Sequence, residues 1–82
     1  MKIVWDEPKR QRNLAKHGMD FAALTVEFFD TALIKDAKKG RYIAIGEFEG
    51  ATIIAVVFRP LGSEALSVVS MRRASKTERN RS

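Results

Sequence analysis

Near the end of the chain Arg72 and Arg73 stand side by side, directly after the apolar, β-branched run that includes Leu66, Val68 and Val69. Guanidiniums are planar and offer paired donors, so these two suit either phosphate oxygens or ion pairs with Glu78 and its neighbours. Successive strand residues face opposite ways, so one of the two must look toward the side of a sheet that helices leave uncovered. A second concentration of charge lies near the start, where Lys9, Arg12, Asn13, Lys16 and His17 crowd around Leu14, the only large apolar residue between Glu7 and His17. At about 100° per residue, Lys9, Asn13, Lys16 and His17 share one helix face, with Arg12 at its margin. A helix polar nearly all round is either a solvated flank or a surface presented to phosphate or to an acidic partner. His17, just before Gly18, is placed to meet a helix C-terminal dipole or to act as general acid or base near neutral pH. Arg41 and Glu47 bracket Ile43 and Ile45 at period two and so share a sheet face at opposite ends, and Arg59 finishes the next apolar run and can join them. Glu47 suits a general base or a partner for an arginine.

Several chemistries are excluded by what is missing. The chain has no cysteine and one histidine, so neither a thiolate cluster nor a histidine-based zinc site is available. It also lacks a glycine-rich phosphate loop, an HExxH pair and a cluster of three acids, so no metal and no cofactor is expected, and any phosphodiester chemistry should be metal-independent. For RNA such a route exists: the substrate's own 2′-OH attacks, and the enzyme aligns it, moves protons and stabilises charge on the phosphoryl oxygens. The formal net charge of +5 on 82 residues favours a polyanionic partner, nucleic acid or acidic protein, without choosing between them. The longest strongly apolar run, Ile53 to Phe58, falls far short of the ~18 residues of a membrane span, and "MKIVWDEP" has no apolar signal region. A soluble cytoplasmic protein of one domain, residues 1–82, is the expectation.

These residues need elements to hold them. Met1 to Trp5 reads as a short strand. Asp6 then caps a helix over Glu7 to His17 that stops at Gly18. Asp20 caps a second helix running to Asp30, with Phe21, Leu24 and Phe28 as its buried face. The period then changes to two: strands over Thr31 to Asp36, Tyr42 to Phe48, Thr52 to Phe58 and Ala65 to Met71, with a two-residue hairpin turn at Glu49 and Gly50 and a turn at "PLGSE". The apolar run at Thr52 to Phe58 lacks alternation and suits a central strand covered on both faces. Residues 74–82 read as a short, highly charged helix or tail, Arg81 included. The order β-α-α-β-β-β-β(-α) predicts an α+β domain, with two helices packed on one face of an antiparallel sheet.

Two motifs at correct separation resemble a known family. "VWDEPKRQRNLAKHGMDF" is similar to the pattern W-D-x-x-K-x-x-x-N-x-x-K-H-G-x-x-F that opens the BrnT family of type II toxins, and "SMRRASKTER" to its closing S-x-R-x-A-[ST]-x-x-E-R. Between them, "GRYIAIGEFEGATIIAVVF" carries the family's R-x-x-x-I-G element at Arg41 to Gly46. The resemblance spans essentially the whole chain. It implies a RelE-like fold and a ribonuclease toxin that arrests growth by cutting RNA. It further implies a BrnA-like antitoxin partner, whose DNA-binding part lets the complex repress its own operon. Trp5, Asp6, Gly18 and Gly46 have structural roles among the motif positions, as core, helix cap, C-cap and close approach respectively. Lys9, His17, Glu47 and Arg72 are the resulting catalytic candidates, and Arg41, Arg59, Arg73 and Arg79 the candidates for RNA phosphate. A non-catalytic nucleic-acid-binding module, or a scaffold gripping an acidic antitoxin segment, are the alternatives. A binding module would lose affinity steeply with salt and leave RNA intact, whereas a toxin expressed alone would arrest growth.

Overall fold

The computed structural model describes residues 1–80, and Arg81 lies outside them. Strand β1 (Lys2–Trp5) leads into helix α1 (Glu7–His17), a 3-10 turn (Phe21–Ala23) and helix α2 (Val26–Thr31). Strands β2 (Leu33–Asp36), β3 (Tyr42–Phe48), β4 (Thr52–Leu61) and β5 (Ala65–Arg73) follow, then helix α3 (Lys76–Arg79). The sheet order is β1-β5-β4-β3-β2, which puts the apolar β4 at the centre as expected. Ile54, Ala55 and Val56 are buried on both of its faces.

The sheet is mixed rather than antiparallel. Strands β2 to β5 form the antiparallel meander, but β1 pairs with β5 in parallel, Lys2 opposite Ala65 and Trp5 opposite Val68. That pairing joins the two ends of the chain, and no local pattern announces it. The second helix also differs from expectation. Asp20 does cap, accepting from the Ala22 amide at 2.9 Å, but the turn ends at an extended Leu24. Thr25 then caps again by accepting from the Phe28 amide at 3.3 Å. Two competing caps five residues apart break the helix, and the break lets Phe28 and Phe29 both reach the core with Phe21 and Leu24.

Gly46 sits where α2 presses on the sheet. A Cβ there would stand 3.3 Å from the Ala32 Cβ and 3.4 Å from the Phe28 ring, so the close approach expected of this glycine is real. The β3–β4 connection spans Glu49–Ala51, three residues instead of two, since Phe48 pairs with Thr52. Pro60 falls inside β4 instead of in a turn. It is tolerated because β3 pairing has ended at Tyr42 and Phe58, which leaves β4 a neighbour on the β5 side only.

Helix α1 lies along an edge of the sheet, not on a face. The Asn13 amide donates to the Met71 carbonyl at 2.9 Å and to the Met19 carbonyl at 3.1 Å, and accepts from the Met71 amide at 3.0 Å. Backbone N–H and C=O groups of a strand point within the sheet plane, so Asn13 occupies the place of a neighbouring strand. It is the buried polar side chain that carries α1, whose other side chains remain largely exposed.

Candidate functional site: a basic groove at the open edge of β5

Between the end of β1 and Asn13, the edge of β5 has no neighbouring strand at Val69 and Ser70. The register skips Val69, with Val57 opposite Ser70 and Phe58 opposite Val68. This bulge keeps Val68 and Met71 both turned to the core and bends the strand beside α1. The helix runs alongside in the same direction: Lys9 lies with Ser67–Val69, Asn13 on Met71, and Gly18 with Arg73. A groove of about 360 Å³ results, lined by Lys9, Arg12, Asn13, Lys16, His17, Val69 and Ser70. A second depression, of Asp6, Lys9, Arg59, Leu61, Ser67, Val68 and Val69, shares Lys9 and Val69 with it and carries the basic surface over the edge of β5 to Arg59.

Helix capping fixes this basic face. Asp6 accepts from the Lys9 amide, and Gly18, at φ 69°, donates to the Leu14 carbonyl at 2.8 Å and ends the helix next to His17. Arg10, at the border of this face, is held by Glu7 at 2.6 Å and Asp20 at 3.1 Å. Its guanidinium draws the Glu7 carboxyl down to about 2. Apart from these pairs, Arg72–Glu78 completes the ion pairs among the described residues, so none engages Lys9, Arg12, Lys16 or His17.

The eight candidates from the sequence fall into separate places. Lys9 and His17 share the groove, and Arg59 meets Lys9 in the adjoining depression. Arg72 pairs across from Ala55, on the same face of β5 as Ser70, and is not among the residues that line the groove. Its Nη1 and Nη2 donate to the two Glu78 oxygens at 2.7 and 2.9 Å, and Glu78 closes a capping box with Ser75. Arg41 precedes Tyr42 and Arg59 follows Phe58, both just beyond the last β3–β4 pair; the Arg41 Nε is buried without an acceptor among the described residues. Glu47, opposite Ile53, is two strands from β5 and is not brought to the groove. Arg73 turns to the other face, near Asp20 and Glu49. Arg79 is exposed on α3. Val69 and Ser70 were not among the candidates, because a bulge leaves no signature in the apolar pattern. Among the described residues no three His, Asp or Glu side chains gather as metal ligands, and no helix is long and apolar enough to cross a membrane.

The Arg72 contact makes a testable electrostatic claim. Its guanidinium, with help from the Ser75 amide, pulls the Glu78 carboxyl from 4.5 to about 2. A folded value below the unfolded one means that the contact stabilises α3 above about pH 4.5 and is lost as pH falls through about 2. NMR titration of the Glu78 carboxyl should therefore show its midpoint near 2; a midpoint near 4.5 would mean that the pair is absent in solution.

Fold and groove together define a small basic α+β protein with an open cationic groove. A family model described as the ribonuclease toxin BrnT of type II toxin-antitoxin systems matches residues 5–78. The chain is also 64% identical to the Brucella abortus ribonuclease toxin BrnT, known from a 1.1 Å crystal structure, with a TM-score of 0.87 over 93% of this chain and 99% of that one. It belongs to the BrnT family of ribonuclease toxins. No curated protein matches it.

Proposed function

We propose that the chain is an endoribonuclease toxin, on a RelE-like scaffold, that cuts RNA through attack of the 2′-OH without a metal ion. Its partners are RNA and a BrnA-like antitoxin, through whose DNA-binding part the complex represses its operon. The observation that carries the reading is the groove in which Lys9, Arg12, Lys16 and His17 converge, unpaired with any acid, on the uncovered edge of β5.

A rise of about 1.5 Å per residue puts Lys9 and His17 roughly 12 Å apart along α1. That spacing lets the groove accommodate consecutive nucleotides. His17, the imidazole of the groove, moves the proton at the reacting 2′-OH or 5′-oxygen. Arg72 stabilises the phosphoryl oxygens from beside Ser70, and Lys9 with Arg59 holds a flanking phosphate. Arg41 extends the phosphate contacts on the same face, while Arg73, Arg79 and Glu47 stand outside this path. In the step itself the 2′-oxygen bonds to phosphorus, the bond to the 5′-oxygen breaks, and that oxygen takes up a proton.

Purified protein incubated with end-labelled RNA in excess EDTA tests this. Wild type should leave 5′-hydroxyl and cyclic or 3′-phosphate ends, and His17→Ala should be about 10²- to 10⁴-fold slower. Retained cleavage in His17→Ala with loss in Lys9→Ala would exchange their roles. Intact RNA with a folded wild type, in EDTA and after added Mg²⁺ alike, would move the binding-module reading ahead.

A further inference from the structure

On the sheet face turned away from α2, Glu78 of α3 is pinned at the Arg72 end. Across β2, β3 and β4 this face carries Leu33, Ile43, Ile45, Ile53, Ala55 and Val57 in register. Ile45 and Ala55 are buried among their neighbours, Ile43, Ile53 and Val57 are half-exposed, and Leu33 is 38% exposed. One end of the rim is basic, with Lys35 on β2, then Arg41 and Arg59, while Glu47 stands at the opposite end. Arg41 contributes an independent sign, since its Nε is a buried donor with no acceptor in the described chain and a donor in that state calls for one.

The apolar part of this face is aliphatic throughout. The aromatic residues of the same strands, Tyr42, Phe48 and Phe58, alternate to the other side and pack on the core. Single-stranded RNA is gripped by stacking bases on aromatic rings, and this surface has none to offer. Aliphatic side chains with cations along one end instead fit a protein segment that alternates apolar residues with Asp or Glu.

We propose that this open face is where the antitoxin docks, through an acidic, amphipathic segment whose carboxylates meet Arg41, Arg59 and Lys35 and whose apolar side chains cover Leu33, Ile43 and Val57. Arg59 also belongs to the depression beside Lys9. Docking therefore takes the Arg41 and Arg59 phosphate contacts away from RNA, and neutralisation is by competition; that last step rests on the groove being the RNA site.

The test uses the full-length toxin and its purified cognate antitoxin. Hydrogen exchange of the complex should protect residues 33–36, 41–47 and 53–59 and leave α1 nearly as in the free toxin. The double variant Leu33→Glu/Ile43→Glu, checked for folding by circular dichroism, should bind the antitoxin about 30-fold or more weakly while cutting RNA as wild type does. Protection confined to α1, wild-type antitoxin affinity in the folded double variant, or protection of residues 33–36 and 43–47 by RNA would each overturn the proposal. If the double variant does not fold, the exchange pattern of the wild-type complex decides alone. Protection of this face by antitoxin in a toxin that cuts no RNA would uphold the docking site and remove the ribonuclease reading instead.

Discussion

Asn13→Leu lowers the unfolding free energy by about 3 kcal/mol or more and collapses the groove. The size follows from hydrogen-bond accounting. The Asn13 amide serves the N–H and C=O of Met71 and the C=O of Met19, and each buried group left without a partner costs roughly 1–3 kcal/mol. Leucine is close in volume, so lost packing is not the cause. Asn13→Asp separates the directions: it keeps an acceptor for the Met71 N–H but sets a carboxylate against two carbonyls, and should also be strongly destabilised. Urea denaturation of the three proteins, with RNA affinity measured on the folded fraction, gives the result. If Asn13→Leu were as stable as wild type, Asn13 would not be what ties α1 to the sheet, and the groove would need another explanation.

The second large effect is on cleavage. Arg72→Ala should cut RNA about 10²- to 10³-fold more slowly, the size expected when one preorganised donor to a developing oxyanion is removed. Arg72 also holds α3 through Glu78, so a loss could come from α3 instead of from the phosphate. Glu78→Gln distinguishes the two. It weakens the hold on α3 but leaves the guanidinium and frees it from its carboxylate, so cleavage should stay near wild type. Equal losses in both variants would make Arg72 a support for α3 and take it out of the chemistry.

Much of this was legible in the sequence, for local reasons. Asp6 and Gly18 are chemical caps, and they fixed α1 at both ends. The alternation of Tyr42 to Phe48 gave β3 its bounds. The pattern of Lys9, Asn13, Lys16 and His17 at helical spacing placed them on one face, and they do line one groove. The adjacency of Arg72 and Arg73 was enough to send them to opposite faces. The pairing of Arg72 with Glu78 was already one of the two readings that their charges allowed.

Other features were decided only when distant segments met. Thr25 competes with Asp20 as a cap, and which breaks the helix depends on burying Phe28 and Phe29 together against the sheet. The parallel pairing of β1 with β5 links residues about sixty positions apart, and neither strand's own pattern names its neighbour. The bulge at Val69 shifts the register of β5 so that both Val68 and Met71 face the core. Asn13 looked like one more polar residue of a basic helix face, yet it is buried and stands in for a strand. Sequence periodicity reports which side of its own element a residue occupies, because that is set by backbone geometry within a few residues. Which element lies opposite is set by packing and by the pairing of backbone groups across the whole chain. The chain's own pattern therefore determined its elements, its charge and the face that carries Lys9 and His17, and the tertiary structure alone decided that this face closes on the edge of β5, away from Glu47.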